Sequence, residues 1–162
     1  MKKIIVGFST NEKILAKIIR WFTNSSVSHT YVRIPVPEYN EDMIFQAAFL
    51  NVNYCNYKYF KTYSKIVEEY EINVEDATYE YGELIRVTEA GKPYSILTVL
   101  GFFWILAMRM FGIKVHNPFK DRQKSYICVE LTCHILGLPE EAENLTPEDL
   151  RCWCERYGKR IK

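Results

Sequence analysis

Five cysteines and three histidines are the first candidates in this sequence for nucleophilic and proton-transfer chemistry near neutral pH. Cys128 is distinguished by position. Residues 126–136 read as a helix closed by Gly137, with Pro139 beyond it, so Cys128 falls in the first turn. Unpaired backbone N–H groups and the positive end of the helix dipole lower a thiol's pKa there and can stabilise a developing oxyanion. The competing reading is a small buried residue, the usual state of a cysteine. A nucleophilic thiol needs a base. His29 opens the segment Ser28-His29-Thr30-Tyr31-Val32, directly after a polar turn, and His116 sits in the loop Val115-His116-Asn117-Pro118. His134 is six residues beyond Cys128 on the same helix and projects from nearly the opposite side, which makes it a poor partner.

The elements that must position these groups follow from periodicity. Residues 2–8 form a β-branched run that predicts a buried strand. Ser9 and Glu12 have capping-box spacing, so a helix is expected from about residue 11, with Ile14, Leu15, Ile18, Ile19 and Phe22 on one face. Residues 28–34 predict a second strand, ended by Pro35 and Pro37, and residues 42–49 a third. The tyrosine-rich stretch 51–73 reads as continuing strands. Helices are expected over 75–90, 94–111 and 126–136, and from Pro147 to about Tyr157. Thr146 would cap the last, with Glu148 and Asp149 set against its dipole. The fold class is α+β, in one domain spanning 1–162.

Composition narrows the function. A net charge of +1, from 21 basic and 20 acidic residues, supplies no long-range field for nucleic acid. No glycine-rich phosphate loop, zinc-ligand spacing or calcium loop occurs, so no cofactor or metal is expected. Five unevenly spaced cysteines make a poor disulfide framework and read as free thiols. The apolar run in Met1–Thr10 is too short for a signal peptide, and the sixteen uncharged residues between Lys92 and Arg109 fall short of the ~20 needed to span a bilayer. A cytoplasmic protein is the simpler expectation. The apolar stretch 94–111 is read as core, with a peripheral membrane contact or a lid over an acyl pocket as its alternatives.

Five motifs then occur in order along nearly the whole chain. They are Ile18-Ile19-Arg20-Trp21-Phe22-Thr23 followed by Val27-Ser28-His29-Thr30, Met43-Ile44-Phe45-Gln46-Ala47, Gly91-Lys92-Pro93-Tyr94-Ser95, Tyr126-Ile127-Cys128-Val129-Glu130-Leu131 and Thr146-Pro147-Glu148-Asp149-Leu150. Together they resemble the circularly permuted branch of the NlpC-type papain-like superfamily, which includes bacterial and phage thiol hydrolases and lecithin:retinol acyltransferase-like proteins. The resemblance implies a permuted papain-like fold: a small antiparallel sheet or barrel packed against helices, with the nucleophile at a helix N-terminus. It implies Cys128 as nucleophile, His29 as base and Gln46 as the residue that orients the imidazole, with Tyr126 and Tyr31 lining the substrate cleft. Val129 stands where the family commonly has serine, and Gln46 where it often has an acid. A glutamine amide fixes a histidine tautomer but does not stabilise imidazolium by charge.

Three readings follow. One is a thiol hydrolase acting on amide bonds of peptide substrates; another is a lipid-directed acyltransferase or esterase. The third is a binding protein that keeps the scaffold without catalysis, which the glutamine at position 46 favours. Glu130 is expected to be structural.

Overall fold

Hydrophobic alternation at the start of the chain builds the strand on which the rest assembles. β1 (Lys2–Thr10) buries Ile4, Val6 and Phe8 on one face. The computed structural model describes residues 1–48, 51–94, 100–101, 103–105, 107–108, 111–113, 115, 126–139 and 145–162. In it, β1 lies between β2 (His29–Val36) and β5 (Lys65–Val74), antiparallel to both. β3 (Glu41–Ala48) and β4 (Asn51–Asn56) extend the sheet on the β2 side. The two-residue β6 (Lys159–Arg160) extends it beyond β5, giving the order β4-β3-β2-β1-β5-β6. The architecture is α+β, a six-stranded antiparallel sheet packed against helices.

Among the described residues, the helices with both ends defined are α1 (Ile14–Thr23), α2 (Tyr57–Tyr63), α3 (Asp76–Thr88), α4 (Cys128–Ile135) and α5 (Pro147–Tyr157). One face of the sheet, with Val6, Phe8, Val32, Phe45 and Ile72, meets Ile85 of α3, Leu131 and Ile135 of α4, and Leu150 and Cys154 of α5. The opposite face carries a smaller cluster of Tyr31, Ile44 and Phe60 beneath α2.

Four expectations change. The capping box at Ser9 does not form, because β1 runs on through Ser9 and Thr10, which pair with β5; α1 starts instead after an Asn11 side chain that accepts from the Lys13 N–H (3.0 Å). The apolar residues of α1 do not form a buried face: Ala16 is the buried one, and Ile14, Leu15 and Ile18 are exposed. β2 continues through Pro35, where its pairing with β1 has already ended at Arg33, so the missing N–H leaves no gap in the ladder. The tyrosine-rich stretch is interrupted by α2: Asn56 caps the Lys58 and Tyr59 N–H groups, and Phe60 is driven into the small core. Aromatic residues favour strands only where no cap competes.

The caps expected for α5 are all present. Thr146 accepts from Asp149, Asp149 accepts back from Thr146, and Pro147 opens the helix. In the 94–111 stretch, Leu100, Gly101, Phe103, Trp104, Ile105, Ala107 and Met108 are helical, and the rest of that predicted helix mostly lies outside the described residues. Tyr94 and Tyr126 meet in a parallel bridge, with the Tyr126 N–H donating to the Pro93 carbonyl (3.3 Å). Among the described residues no helix is long and apolar enough to cross a membrane.

Candidate functional site

His29 is the first residue of β2 and Gln46 lies near the end of β3, on the same face of the sheet. Their side chains meet, with His29 Nε2 2.8 Å from Gln46 Oε1. Which atom donates is decided further along the chain of contacts. Asn53, the β4 neighbour of Gln46 in register, sends Nδ2 to the backbone carbonyl of Asn51 (3.1 Å), a group that only accepts. Asn53 Oδ1 therefore faces Gln46 and accepts from its Nε2 (3.3 Å), which leaves Gln46 Oε1 for the imidazole. The proton on His29 consequently sits on Nε2, and Nδ1 is left with its lone pair available as a base.

Cys128 is the first residue of α4, the position expected for it. Glu130 holds the helix start, its carboxylate accepting from the Ile127 N–H (3.1 Å); this is half of a capping box, since isoleucine has no side-chain acceptor to complete it. Backbone N–H groups of Thr30, Val129 and Cys128 itself lie against the thiol and favour thiolate. Burial works the other way and prevails, pushing the Cys128 pKa up to about 11. The expected depression of that pKa is corrected: helix-start N–H groups are present, but the thiol is only 7% exposed. Burial also pushes His29 down to about 4, although the hydrogen bond with Gln46 opposes it. At neutral pH the two groups are a neutral thiol and a neutral imidazole.

Both line one cavity of about 640 Å³, together with Ser28, Gln46, Asn53 and Tyr94. Leu15, Ala16 and Ile19 of α1 form one wall, and Tyr59, Phe60 and Tyr63 of α2 another. Two proposed cleft residues are placed elsewhere. Tyr31 is fully buried beneath Phe60 and donates its phenol to Glu69 (2.9 Å), so it does not reach the cavity. Tyr126 is turned toward Glu89 and His134, and Tyr94, its bridge partner, takes the place in the wall. His134 packs against Tyr126 on the far side of α4, and His116 lies outside the described residues. Among the described residues no group of His, Cys, Asp and Glu is arranged to hold a metal ion. All five cysteines are free thiols, and Cys55 is a second one in the cavity wall, 3.4 Å from the Tyr63 hydroxyl.

Asn53, Tyr94 and the α2 aromatics were not recognisable from the sequence without the register. Asn51 and Asn53 alternate on one strand face, but only the pairing of Gln46 with Asn53 shows what that face meets. Removing the Asn53 amide (Asn53→Leu) is expected to release Gln46 to flip and to shift the His29 tautomer ratio by about fivefold toward Nδ1–H, the equivalent of one hydrogen bond of about 1 kcal/mol. Asn53→Asp keeps the acceptor and should hold the Nε2–H form; long-range ¹⁵N–¹H correlation spectra of the imidazole distinguish the two.

No protein-family model matches the sequence, and no curated protein matches it. Among solved structures, the chain is similar to the metalloprotein yiiX from Escherichia coli O157:H7, DUF1105. The two are 17% identical with a TM-score of 0.47, over 70% of this chain and 67% of that one. Similarity at that level carries no information on activity or metal content.

Proposed function

We propose that this chain is a cysteine-dependent hydrolase on a circularly permuted papain-like fold, acting on an amide or ester bond. The observation that carries the reading is that Cys128, at a helix start, and the His29–Gln46 pair line the same cavity. In the reaction the Cys128 sulfur attacks the substrate carbonyl carbon while His29 Nδ1 takes the thiol proton. N–H groups at the start of α4 stabilise the oxyanion. The intermediate collapses as the imidazolium returns its proton to the departing amine or alcohol, leaving a thioester on Cys128. Water, deprotonated by His29, then attacks the thioester, and the thiolate leaves and recovers that proton. Gln46 holds the ring throughout but supplies no charge, so imidazolium is a short-lived state.

Treatment with p-nitrophenyl acetate followed by peptide mass spectrometry tests this. One acetyl group is expected on Cys128 and none there in Cys128→Ala. Acetylation spread over Cys55 and Cys152 with none on Cys128 would sink the reading. A second reading, a binding protein on the same scaffold, is favoured by the neutral resting state of both groups, and it is the reading left standing by that second outcome.

A further inference from the structure

An amphipathic helix on a sheet ordinarily turns its large apolar residues inward. α1 does the reverse. It rests on the fold through Ala16, while Ile14, Ile18 and Trp21, at i, i+4 and i+7, point outward with exposures of 78%, 38% and 74%. A second ridge lies beside it. Phe22 packs against Phe103 with ring centroids 5.3 Å apart, and the helical segment carrying Phe103 exposes Leu100 (53%) and Trp104 (50%), again one turn apart. Leu15 joins this face to the cavity, since it is exposed and also lines the cavity wall.

We infer that the outer face of α1, with Leu100 and Trp104, is a docking surface for an anionic lipid bilayer and seats the cavity mouth at the membrane. Charge and residue type favour a bilayer over a protein. The stripe is bordered by the exposed Lys13 and Lys17, which outnumber the one acid beside them, Glu12, an ion-pair partner of Lys17 (3.3 Å); Arg20 turns inward to Thr10 and Asn11. Lysine is depleted at the centre of protein interfaces, whereas basic side chains beside an apolar stripe suit anionic headgroups. Two exposed tryptophans suit the interfacial layer, where an amphipathic ring has its apolar body and its N–H both satisfied. Such a helix lies in the plane of the surface. Docking is separable from the hydrolase reading through Ile14 and Ile18, which lie outside the cavity that Lys13 and Leu15 help to line.

Flotation of the full chain with phosphatidylcholine vesicles, with and without phosphatidylglycerol, provides the test. The wild type is expected to float with the anionic vesicles and to be released by salt, and Cys128→Ala to behave identically. The double variant Ile14→Glu/Ile18→Glu, checked for an unchanged melting temperature, should lose at least about tenfold in vesicle affinity, and Lys13→Glu/Lys17→Glu should lose preference for anionic lipid. Failure of the wild type to float, or equal flotation of the Ile14→Glu/Ile18→Glu variant, overturns the inference. So does a concentration-dependent dimer in sedimentation that this variant disperses without any vesicle binding, which would assign the face to a second copy of the chain.

Discussion

His29→Ala is expected to slow acylation of Cys128 at neutral pH by about 10²–10⁴-fold, the usual contribution of a positioned general base. The pH profile separates this from simple damage to the cavity. With the His29 pKa near 4, the imidazole is an available base over the whole physiological range, and the rate falls only when the pH approaches that value. With Cys128 near 11, almost no free thiolate exists below alkaline pH. The wild-type profile is therefore a plateau, maintained by proton transfer from thiol to imidazole during attack. Without His29 the reaction depends on pre-formed thiolate, so its rate should climb by about tenfold per pH unit toward 11. A variant with the wild-type plateau, merely lowered, would remove His29 from the mechanism. Stability carries a related signature. Between pH 6.5 and about 4 the unfolded chain binds a proton at His29 that the folded chain excludes, so His29 makes the fold lose stability as pH falls through that window.

The second large effect is on the fold. Arg33→Met is expected to destabilise the protein by about 3 kcal/mol, the low end for breaking a buried ion pair, because the guanidinium itself is 24% exposed. Glu69 is 1% exposed, and Arg33 Nη1 lies 2.9 Å from its carboxylate. Arg33 also binds Asp42 through Nε (2.8 Å) and stacks on Tyr57 of α2, 4.5 Å from the ring centroid. Removing the guanidinium strands a carboxylate in the interior with, among the described residues, the Tyr31 and Tyr57 hydroxyls as its donors. Urea denaturation measures the loss, and the double variant Arg33→Met/Glu69→Gln should recover much of it. A loss below about 1 kcal/mol would show that the tyrosines alone sustain the carboxylate. Because Phe60 of α2 packs edge-on against Tyr31 and lies beside His29, loosening α2 should also disturb the base.

The parts of this molecule that could be read from the sequence are those governed by local rules. β1 and β2 follow from β-branched runs, α5 from a capping threonine followed by proline and acids, and the position of Cys128 from the glycine that ends α4 and the helix length before it. The resemblance implies a contact between Gln46 and His29, and their side chains lie 2.8 Å apart. What was missed depends on competition between local and tertiary effects. α2 falls within a stretch whose tyrosines and alternation predict strand, and the Asn56 cap that turns it into a helix carries no comparable sequence signal. The thiol's pKa runs opposite to the sequence expectation because burial is a property of the assembled fold, whereas the helix start is visible in sequence. The outward face of α1 was equally hidden: periodicity shows that an apolar face exists and cannot show which way it turns.

The bridge between Tyr94 and Tyr126 has a bearing on how the scaffold tolerates change. Two residues that neighbour each other in space bound everything from 95 to 125, so that stretch departs from and returns to a single point. Cys128 follows two residues after the return, which means the nucleophile takes its address from residue 94 and not from the length of chain in between. Loop closure costs grow only slowly with length. A change in the number of residues between Tyr94 and Tyr126 therefore leaves in place the pairing that locates Cys128, provided that Phe103 keeps its contact with Phe22 and Ile105 its buried position.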